Sequence, residues 1–242
     1  MNTGQEKIVG ILGGMGPEAT VDLLHRIIAS TDARDDIDHV RCIVDNNPKV
    51  PSRIKALLEG GGEDPAPCMA DMARRLEAWG ADFLCIACNT AHNYYGAVRD
   101  AVRIPVLNMI ELTVEAVARQ HPQVTGLGIL ASPAVRLTRL YEGPCAARGI
   151  QPVFASPEEE QKLLNVIKAV KAGNTGAEAR AALSEIAAHV KSRGAQALVV
   201  ACTELGIISG HSALPTVDAA DVLAKTIVDT AKGVIPLWPS HS

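Results

Sequence analysis

The 242-residue chain is long enough for one large domain or two domains of ordinary size. Hydrophobic residues make up 48% of it and aromatic residues only 3%. We therefore expect a core of Ala, Val, Ile and Leu, as in α/β proteins whose parallel strands are covered on both faces. The formal net charge of -4 and the pI near 6.0 argue against a nucleic-acid partner, and the scattered charges argue against a membrane-binding segment.

Targeting signals are the next feature to consider. The apolar run near the N-terminus is too short for a secretory signal and is soon interrupted by Glu18. No stretch approaches the roughly 18 apolar residues that a membrane span needs. We therefore expect a cytoplasmic protein whose six cysteines are thiols, so that a cysteine cluster would indicate metal binding or catalysis rather than disulfides.

Apolar runs bounded by turn residues recur along the chain. They begin at positions 8, 40, 83, 104, 126, 152, 197 and 214. Segments with helical periodicity separate them, including 17–30, 66–79, 158–172 and 177–193, and a last helix is expected near 218–232. Strands that alternate with helices predict βαβ units, parallel sheets and right-handed crossovers.

The two halves of the chain repeat each other. The segments 10–12, 83–90 and 104–106 are echoed by 128–130, 197–204 and 214–217, at offsets of 118, 114 and 110. We predict two similar parallel-sheet α/β domains related by a pseudo-twofold, with the active site in the interdomain cleft. The first domain would comprise 1–104 plus about 212–242, and the second about 105–211.

Each half carries a cysteine directly after an apolar strand, Cys88 in the first and Cys202 in the second. This is the carboxyl end of a parallel strand, where ligands bind in open α/β sheets. A nearby helix N-terminus is expected to lower the pKa of such a thiol. Two thiols facing each other across a cleft suit proton abstraction on one face of a carbon and proton delivery on the other. The alternative for each cysteine is simple packing as a small hydrophobe.

Cys85 and Cys88 also suggest a CxxC metal or redox motif. Side-chain alternation, however, places the two cysteines on opposite faces of one strand. A zinc site would need a second ligand pair, and the other cysteines, Cys42, Cys68 and Cys145, stand alone. We expect no metal at this motif, and core packing for Cys85.

Further candidate ligands for a substrate lie in three loops. The glycine-rich turn that contains Met15 and Gly16 could hold a small carboxylate, or could be a tight turn needed for packing. Arg53, after a proline-stiffened loop, could bind a carboxylate through its guanidinium or lie in solvent. Lys171 lies in the last turn of a predicted helix, where it could instead interact with the helix dipole. We expect His92 on a helix surface, with no role in proton transfer.

These motifs together resemble the cofactor-independent aspartate/glutamate racemase family, in particular its aspartate racemase branch. The similarity runs over nearly the whole chain and rests on residues 13–17, 46–53, 88–92, 171–174 and 202–204. It implies two α/β domains, no pyridoxal phosphate or other cofactor, and Cys88 and Cys202 as the two catalytic bases. It also implies a small-molecule amino acid as the substrate, and we expect a homodimer.

The resemblance extends to the residues that bind substrate. It implies that Asn89, Thr90 and Thr203 hold the α-carboxylate or the amino group, and that Arg53 and Lys171 bind a distal carboxylate. The remaining candidates for substrate binding are Met15, Gly16, Ser132 and Glu204. In the aspartate branch a threonine-rich stretch follows the fifth strand, whereas residues 131–136 here read ASPAVR. Ser132 keeps one hydroxyl and Arg136 adds a charge, so this stretch bears on substrate identity.

Racemisation of aspartate, with glutamate as the second candidate, is the leading hypothesis. A related cofactor-free enzyme, of the hydantoin racemase, maleate isomerase or malonate decarboxylase type, is a second possibility. Decarboxylases of this kind need only one of the two cysteines, so that the presence of both favours racemisation. A non-catalytic amino-acid-binding module is the third possibility, but it leaves the two matched cysteines unexplained.

Overall fold

The computed structural model of the protein describes residues 6–210 and 212–236. The chain folds into two units, Met1–Met109 together with Leu223–Ser242, and Ile110–Val222. Each unit is built around one parallel four-stranded sheet, which confirms the predicted α/β class with two similar domains. In the described ranges, no helix has both the length and the apolar character that crossing a membrane requires.

The first unit has the strand order β2-β1-β3-β4. Its strands are β1 (Val9–Gly13), β2 (Cys42–Asn46), β3 (Phe83–Ile86) and β4 (Val106–Leu107). Its helices are α1 (Pro17–Ser30), α2 (Arg53–Leu58), α3 (Ala66–Ala78) and α4 (Tyr95–Arg99), with 3-10 helices at Asp36–Asp38 and Thr90–Tyr94. All five residues of β1 are buried, as expected for a strand with neighbours on both sides and helices on both faces.

The second unit has the strand order β6-β5-β7-β8. Its strands are β5 (Gly126–Leu130), β6 (Gln151–Val153), β7 (Ala197–Val200) and β8 (Thr216–Asp218). Its helices are α5 (Met109–Gln120), whose first residue still belongs to the first unit, α6 (Pro133–Leu137), α7 (Glu142–Ala146), α8 (Pro157–Lys171), α9 (Ala177–Ser192) and α10 (Thr203–Ile208). The last helix, α11 (Ala219–Ala231), begins in the second unit and continues into the first.

The repeat that the sequence predicted extends to the register of the strands. Gly10 pairs with Leu84 in the first sheet, and Gly128 pairs with Leu198 in the second. A Cβ atom on Gly10 would lie 2.5 Å from the Leu84 side chain, and one on Gly128 would lie 2.6 Å from that of Leu198. Both positions therefore favour glycine for the same reason, since a Cβ atom would force the neighbouring leucine side chain to move. The two units are similar at the level of single contacts.

The start of α8 follows ordinary capping rules. Ser156 and Glu159 form a reciprocal capping box at the start of α8, where Pro157 occupies the first turn. Glutamates lie in the first turn of α8 and lysines in its last, which suits the helix dipole. This start fixes the phase of α8 and hence the place of Lys171 at its carboxyl end.

Candidate active site

The carboxyl ends of β1, β2 and β3 meet at one edge of the first sheet, because β1 pairs in parallel with both neighbours. Three loops leave this edge. They are the turn 14–16, the loop 47–52 and the segment 87–89 that leads into the 3-10 helix Thr90–Tyr94. Strand topology thus brings together the predicted site residues of the first unit, as expected for an open α/β sheet.

The glycine-rich turn packs directly against the second loop. Gly14 has a φ of +84°, and a Cβ atom there would lie 2.3 Å from the backbone of Asn47. Only glycine fits this conformation and this approach. The Gly14 N–H donates to the buried Thr20 hydroxyl at 2.8 Å. The Gly14 N–H is already hydrogen-bonded within the turn, so a carboxylate held here would have to bind the N–H groups of the residues after Gly14.

Arg53 joins the two loops instead of lying in solvent. Its Nη1 donates to the carbonyls of Val50 at 3.1 Å and Pro51 at 2.8 Å, and its Nη2 donates to the Met15 carbonyl at 3.1 Å. A guanidinium has five N–H donors, and three of them hold the loops in place. Met15 itself is buried in the core, whereas Gly16 is partly exposed.

Cys88 lies at the edge of the core of the first unit. It is 9% exposed and belongs to a cluster of buried side chains that includes Met15, Leu84 and Ile86. The Ala87 N–H, one residue earlier, donates to the Leu12 carbonyl at 3.0 Å, which continues the pairing of β1 and β3 up to the cysteine. Asn89 is buried and Thr90 is partly exposed.

The expectation that His92 lies on a helix surface is wrong. The side chain is 5% exposed, in the 3-10 helix that follows Cys88. Its Nε2 accepts a hydrogen bond from the Met109 N–H at 3.1 Å, so that Nε2 carries no proton. Nδ1 is then the protonated nitrogen, and it donates to the Cys88 carbonyl at 2.8 Å. Burial lowers the pKa of His92 to about 4, although hydrogen bonds to the Cys88 and Asn89 backbone oppose this shift.

His92 therefore acts on Cys88 through the backbone. Its donated hydrogen bond fixes the peptide group that carries the thiol, and its second bond ties this turn to the start of α5. The sequence carries one hint of this role, because a side chain four residues after Cys88 in a helical turn can reach its carbonyl. Nothing in the pattern shows that the ring is buried.

Cys85 is fully buried within β3, three residues before Cys88. Alternation along the strand places the two side chains on opposite faces. Burial raises the pKa of Cys85 well above its usual range, with a further contribution from Cys42. Each of the six cysteines is a free thiol, and the described part of the chain contains no group of three or more His, Cys, Asp or Glu side chains that could hold a metal.

In the second unit, Cys202 follows β7 and precedes α10. Its Sγ donates to the Oε2 of Glu204 at 3.1 Å. Burial raises the pKa of the Cys202 thiol, and the Glu204 carboxylate raises it further, while Lys171 and the Leu205 amide lower it by less. The expectation of a lowered pKa is therefore wrong for Cys202, because burial and a neighbouring anion outweigh the helix start.

Glu204 links Cys202 to Lys171. The carboxylate is 4% exposed, and its Oε1 lies 3.4 Å from the Lys171 Nζ. The Thr203 hydroxyl lies 3.4 Å from Oε2. The structure thus groups three of the predicted residues of the second unit, Cys202, Thr203 and Lys171, around the buried carboxylate of a fourth, Glu204. A buried carboxylate with a cationic partner can accept a hydrogen bond from the thiol, which keeps the proton on sulfur, or it can take up that proton.

Ser132 and Arg136 lie after β5, the neighbour of β7. Ser132 is 6% exposed and precedes α6. Arg136 donates to both carboxylate oxygens of Glu160, from Nε at 2.5 Å and from Nη2 at 2.7 Å. Glu160 is 6% exposed, so this ion pair largely neutralises the charge that Arg136 adds to the stretch 131–136. Glu160 is a partner that sequence reasoning missed, since it lies 24 residues away on another helix.

Comparison with known proteins agrees with this architecture. A family model described as Asp/Glu/hydantoin racemase matches residues 12–227. The chain is similar to the structure of Picrophilus torridus aspartate racemase, with 31% identity, a TM-score of 0.83, and coverage of 93% of this chain and 94% of that one. It is also similar to the broad specificity amino-acid racemase RacX of Bacillus subtilis, with 27% identity over 92% of this chain and 97% of RacX.

A more distant likeness concerns the fold alone. The structure of glutamate racemase from Francisella tularensis is 17% identical, with a TM-score of 0.66, and the match covers 92% of this chain and 80% of that one. The family match spans most of the chain, including both strand-end cysteines. The chain belongs to the Asp/Glu/hydantoin racemase family, and is by that membership a racemase, an enzyme of the isomerase class.

Proposed function

We propose that the protein is a cofactor-independent amino-acid racemase in which Cys88 and Cys202 are the two catalytic bases. One observation carries this proposal. The two thiols occupy matched positions, since Cys88 lies two residues after the end of β3 and Cys202 two residues after the end of β7. The two units share one strand order, and β3 pairs with β1 in the same register as β7 pairs with β5. Packing alone gives no reason for a cysteine at both positions.

In this mechanism, one sulfur acts as a thiolate and removes the proton from the α-carbon of the amino acid. The C–H electron pair stays on carbon as a carbanion stabilised by the carboxylate. The second sulfur, as a thiol, donates its proton to the other face of that carbon. The first sulfur ends as a thiol and the second as a thiolate, so that protons and charges balance. The reverse direction exchanges the two roles.

Glu204 is assigned a role in the protonation of Cys202. As a buried carboxylate 3.1 Å from Sγ, it stabilises the protonated thiol, which is the proton donor in one direction. When Cys202 must act as the base, the same carboxylate can accept the proton of the Cys202 thiol. Until this transfer takes place, Lys171 offsets the negative charge of the carboxylate. His92 is assigned the positioning of Cys88, through the hydrogen bond to its carbonyl.

The proposed substrate is aspartate, with glutamate as the second candidate. The Picrophilus relative is named for aspartate, and Arg53 has two N–H groups beyond the three that bind carbonyls, which suit a carboxylate. RacX is named for broad specificity, so neutral and basic amino acids belong in the same panel. The expected homodimer stays a prediction that analytical ultracentrifugation checks.

Chiral chromatography tests the proposal. Purified enzyme is incubated with each L-amino acid, with and without added pyridoxal phosphate, and the D-enantiomer is measured over time. We expect D-aspartate at the same rate in both conditions, and none with the Cys88→Ala or Cys202→Ala variant. Failure to convert any amino acid, or conversion only with pyridoxal phosphate, would contradict the proposal.

A further inference from the structure

Between its last two strands, the second unit is shorter than the first, and a cavity lies beside this stretch of chain. The offset between paired strand positions is 114 from β3 to β7 but 110 from β4 to β8, since Leu84 pairs with Val106 and Leu198 with Thr216. The second unit therefore has four residues fewer between these strands. Four residues correspond to about one turn of helix.

In the first unit, this stretch of chain covers α3. Helix α4 packs against α3, and its Val98 is fully buried in the cluster that includes Met69 and Ala73 of α3. Tyr94 and Tyr95 pack at the edge of the same cluster. In the second unit, none of the described residues between Ile208 and Thr216 is helical.

Helix α9 is the counterpart of α3 in the second unit. The packing around the two matched glycines shows this, since Gly10 faces Leu76 and Gly128 faces Val190, an offset of 114. By the same offset, Leu183 and Ala187 of α9 correspond to Met69 and Ala73 of α3. These two residues of α9 line a cavity of about 320 Å³, and the described residues that follow α10 form no counterpart of α4 beside them.

The cavity has an apolar interior and a cationic rim. Its apolar lining includes Leu183, Ala187, Leu198, Val200, Ile208 and Leu214. Arg180 and Lys191, two exposed residues of α9, also line it, and none of its described lining residues is acidic. The positions of α3 that correspond to these two cations are Ala66 and Glu77, so that these two positions are cationic in α9 and not in α3.

We propose that this cavity is a binding site for a small amphiphilic carboxylate, separate from the residues assigned to racemisation. Its volume is near the lower end of the range of small-molecule sites, about 300–1,000 Å³, and suits an apolar body of roughly eight to ten carbons. The apolar lining takes this body, and Arg180 or Lys191 pairs with the carboxylate at the mouth. The absence of acidic groups from the described lining selects an anion over a cation.

Calorimetry with octanoate on the full-length protein tests the site, with octylamine and octanol as probes of the head group. We expect saturable binding of octanoate, weaker binding of octylamine, and a loss of about tenfold or more in octanoate affinity in the Ala187→Phe variant, which fills the cavity. The double variant Arg180→Gln/Lys191→Gln should lose at least about fivefold for octanoate and little for octanol. Lys225→Gln, on α11, is the matched charge control and should bind normally.

Circular dichroism and the thermal midpoint show whether Ala187→Phe folds, and Ser184→Phe, at the mouth, is the second blocking variant. Absence of saturable octanoate binding up to roughly 10 mM would overturn the proposal. An affinity for octanoate that both blocking variants leave unchanged would also overturn it, as would equal affinities for octanoate and octylamine. A change of oligomeric state in Ala187→Phe, measured by ultracentrifugation, would assign the cavity to a second copy of the chain and would also overturn it.

Discussion

The thiol of Cys202 donates a hydrogen bond to the carboxylate of Glu204, two residues later, at 3.1 Å. The carboxylate is buried and the thiol is partly exposed, and Lys171 lies 3.4 Å from the other oxygen of the carboxylate. Three groups that exchange or balance charge thus meet at the end of one strand. In the proposed mechanism this contact sets which cysteine holds its proton at rest.

Glu204→Gln should make Cys202 more acidic, because the variant removes an anion that raises the pKa of the thiol. We expect alkylation of Cys202 by iodoacetamide to reach half of its maximal rate at a lower pH than in the wild type, as followed by peptide mass spectrometry. Alkylation of Cys42 in the same samples is the internal control. An unchanged profile for Cys202 would show that Glu204 does not control its proton.

The same variant should slow racemisation. A glutamine cannot accept the proton of Cys202, so we expect kcat to fall by about 10- to 100-fold in the direction that needs Cys202 as the base. Kinetics started from each enantiomer measure this. Glu160→Gln removes a buried carboxylate of the same unit that pairs with Arg136, and serves as the matched control. Equal losses in both variants would indicate a general effect on folding.

His92 should make stability depend on pH. Its pKa is about 4 in the folded protein and about 6.5 when unfolded, so that the unfolded state binds more protons between these values. The stabilisation is therefore complete above pH 6.5 and is lost as the pH falls toward 4. We expect the wild type to lose about 2 kcal/mol of unfolding free energy from this group between pH 7 and 5. Urea unfolding of the wild type and of His92→Gln should show a smaller loss in the variant.

The positioning role of His92 predicts a pattern among its variants. Asn can supply a donor near the Cys88 carbonyl, as Nδ1 does, whereas Ala supplies none. We expect His92→Asn to keep more of kcat than His92→Ala, with KM changed by less than about threefold in both. If the two variants had equal kcat, the hydrogen bond to Cys88 would have no part in catalysis.

Arg53→Lys should separate charge from geometry. A lysine keeps the positive charge but cannot bond to the carbonyls of Met15, Val50 and Pro51 at once. We expect the free energy of unfolding to fall by about 1–3 kcal/mol and KM for aspartate to rise about tenfold or more. Lys55→Arg, on the same helix, is the control. An unchanged KM for aspartate would remove Arg53 from substrate binding.

Much of the architecture could be predicted from the sequence, because its signals are local. Each of the eight predicted apolar runs overlaps a strand, and the segments 17–30 and 177–193 match α1 and α9 within one residue. The short helices α4 and α10 have five and six residues. Fewer than two turns show too little periodicity to be recognised.

The contacts of single site residues were harder to predict. His92 was expected on a surface, since a polar residue after a strand gives no sign that it will be buried. The sequence predicts either substrate or solvent as the partner of Arg53, whereas the guanidinium bonds to three backbone carbonyls, one of them 38 residues away. The raised pKa of Cys202 depends on burial and on the rotamer of Glu204, and a sequence pattern carries neither.

Deuterium exchange tests the two-base proposal most directly. Wild-type enzyme, Cys88→Ser, Cys202→Ser and the core control Cys85→Ala are incubated in D2O with L- and with D-aspartate, and label at the α-carbon is read by mass spectrometry and chiral separation. We predict that the wild type and Cys85→Ala convert each enantiomer of aspartate into the opposite one with deuterium at the α-carbon. Cys88→Ser and Cys202→Ser should form none of the opposite enantiomer, and each should exchange the α-hydrogen of at most one of the two substrates. Racemisation that persists without Cys88 or without Cys202 would contradict the account.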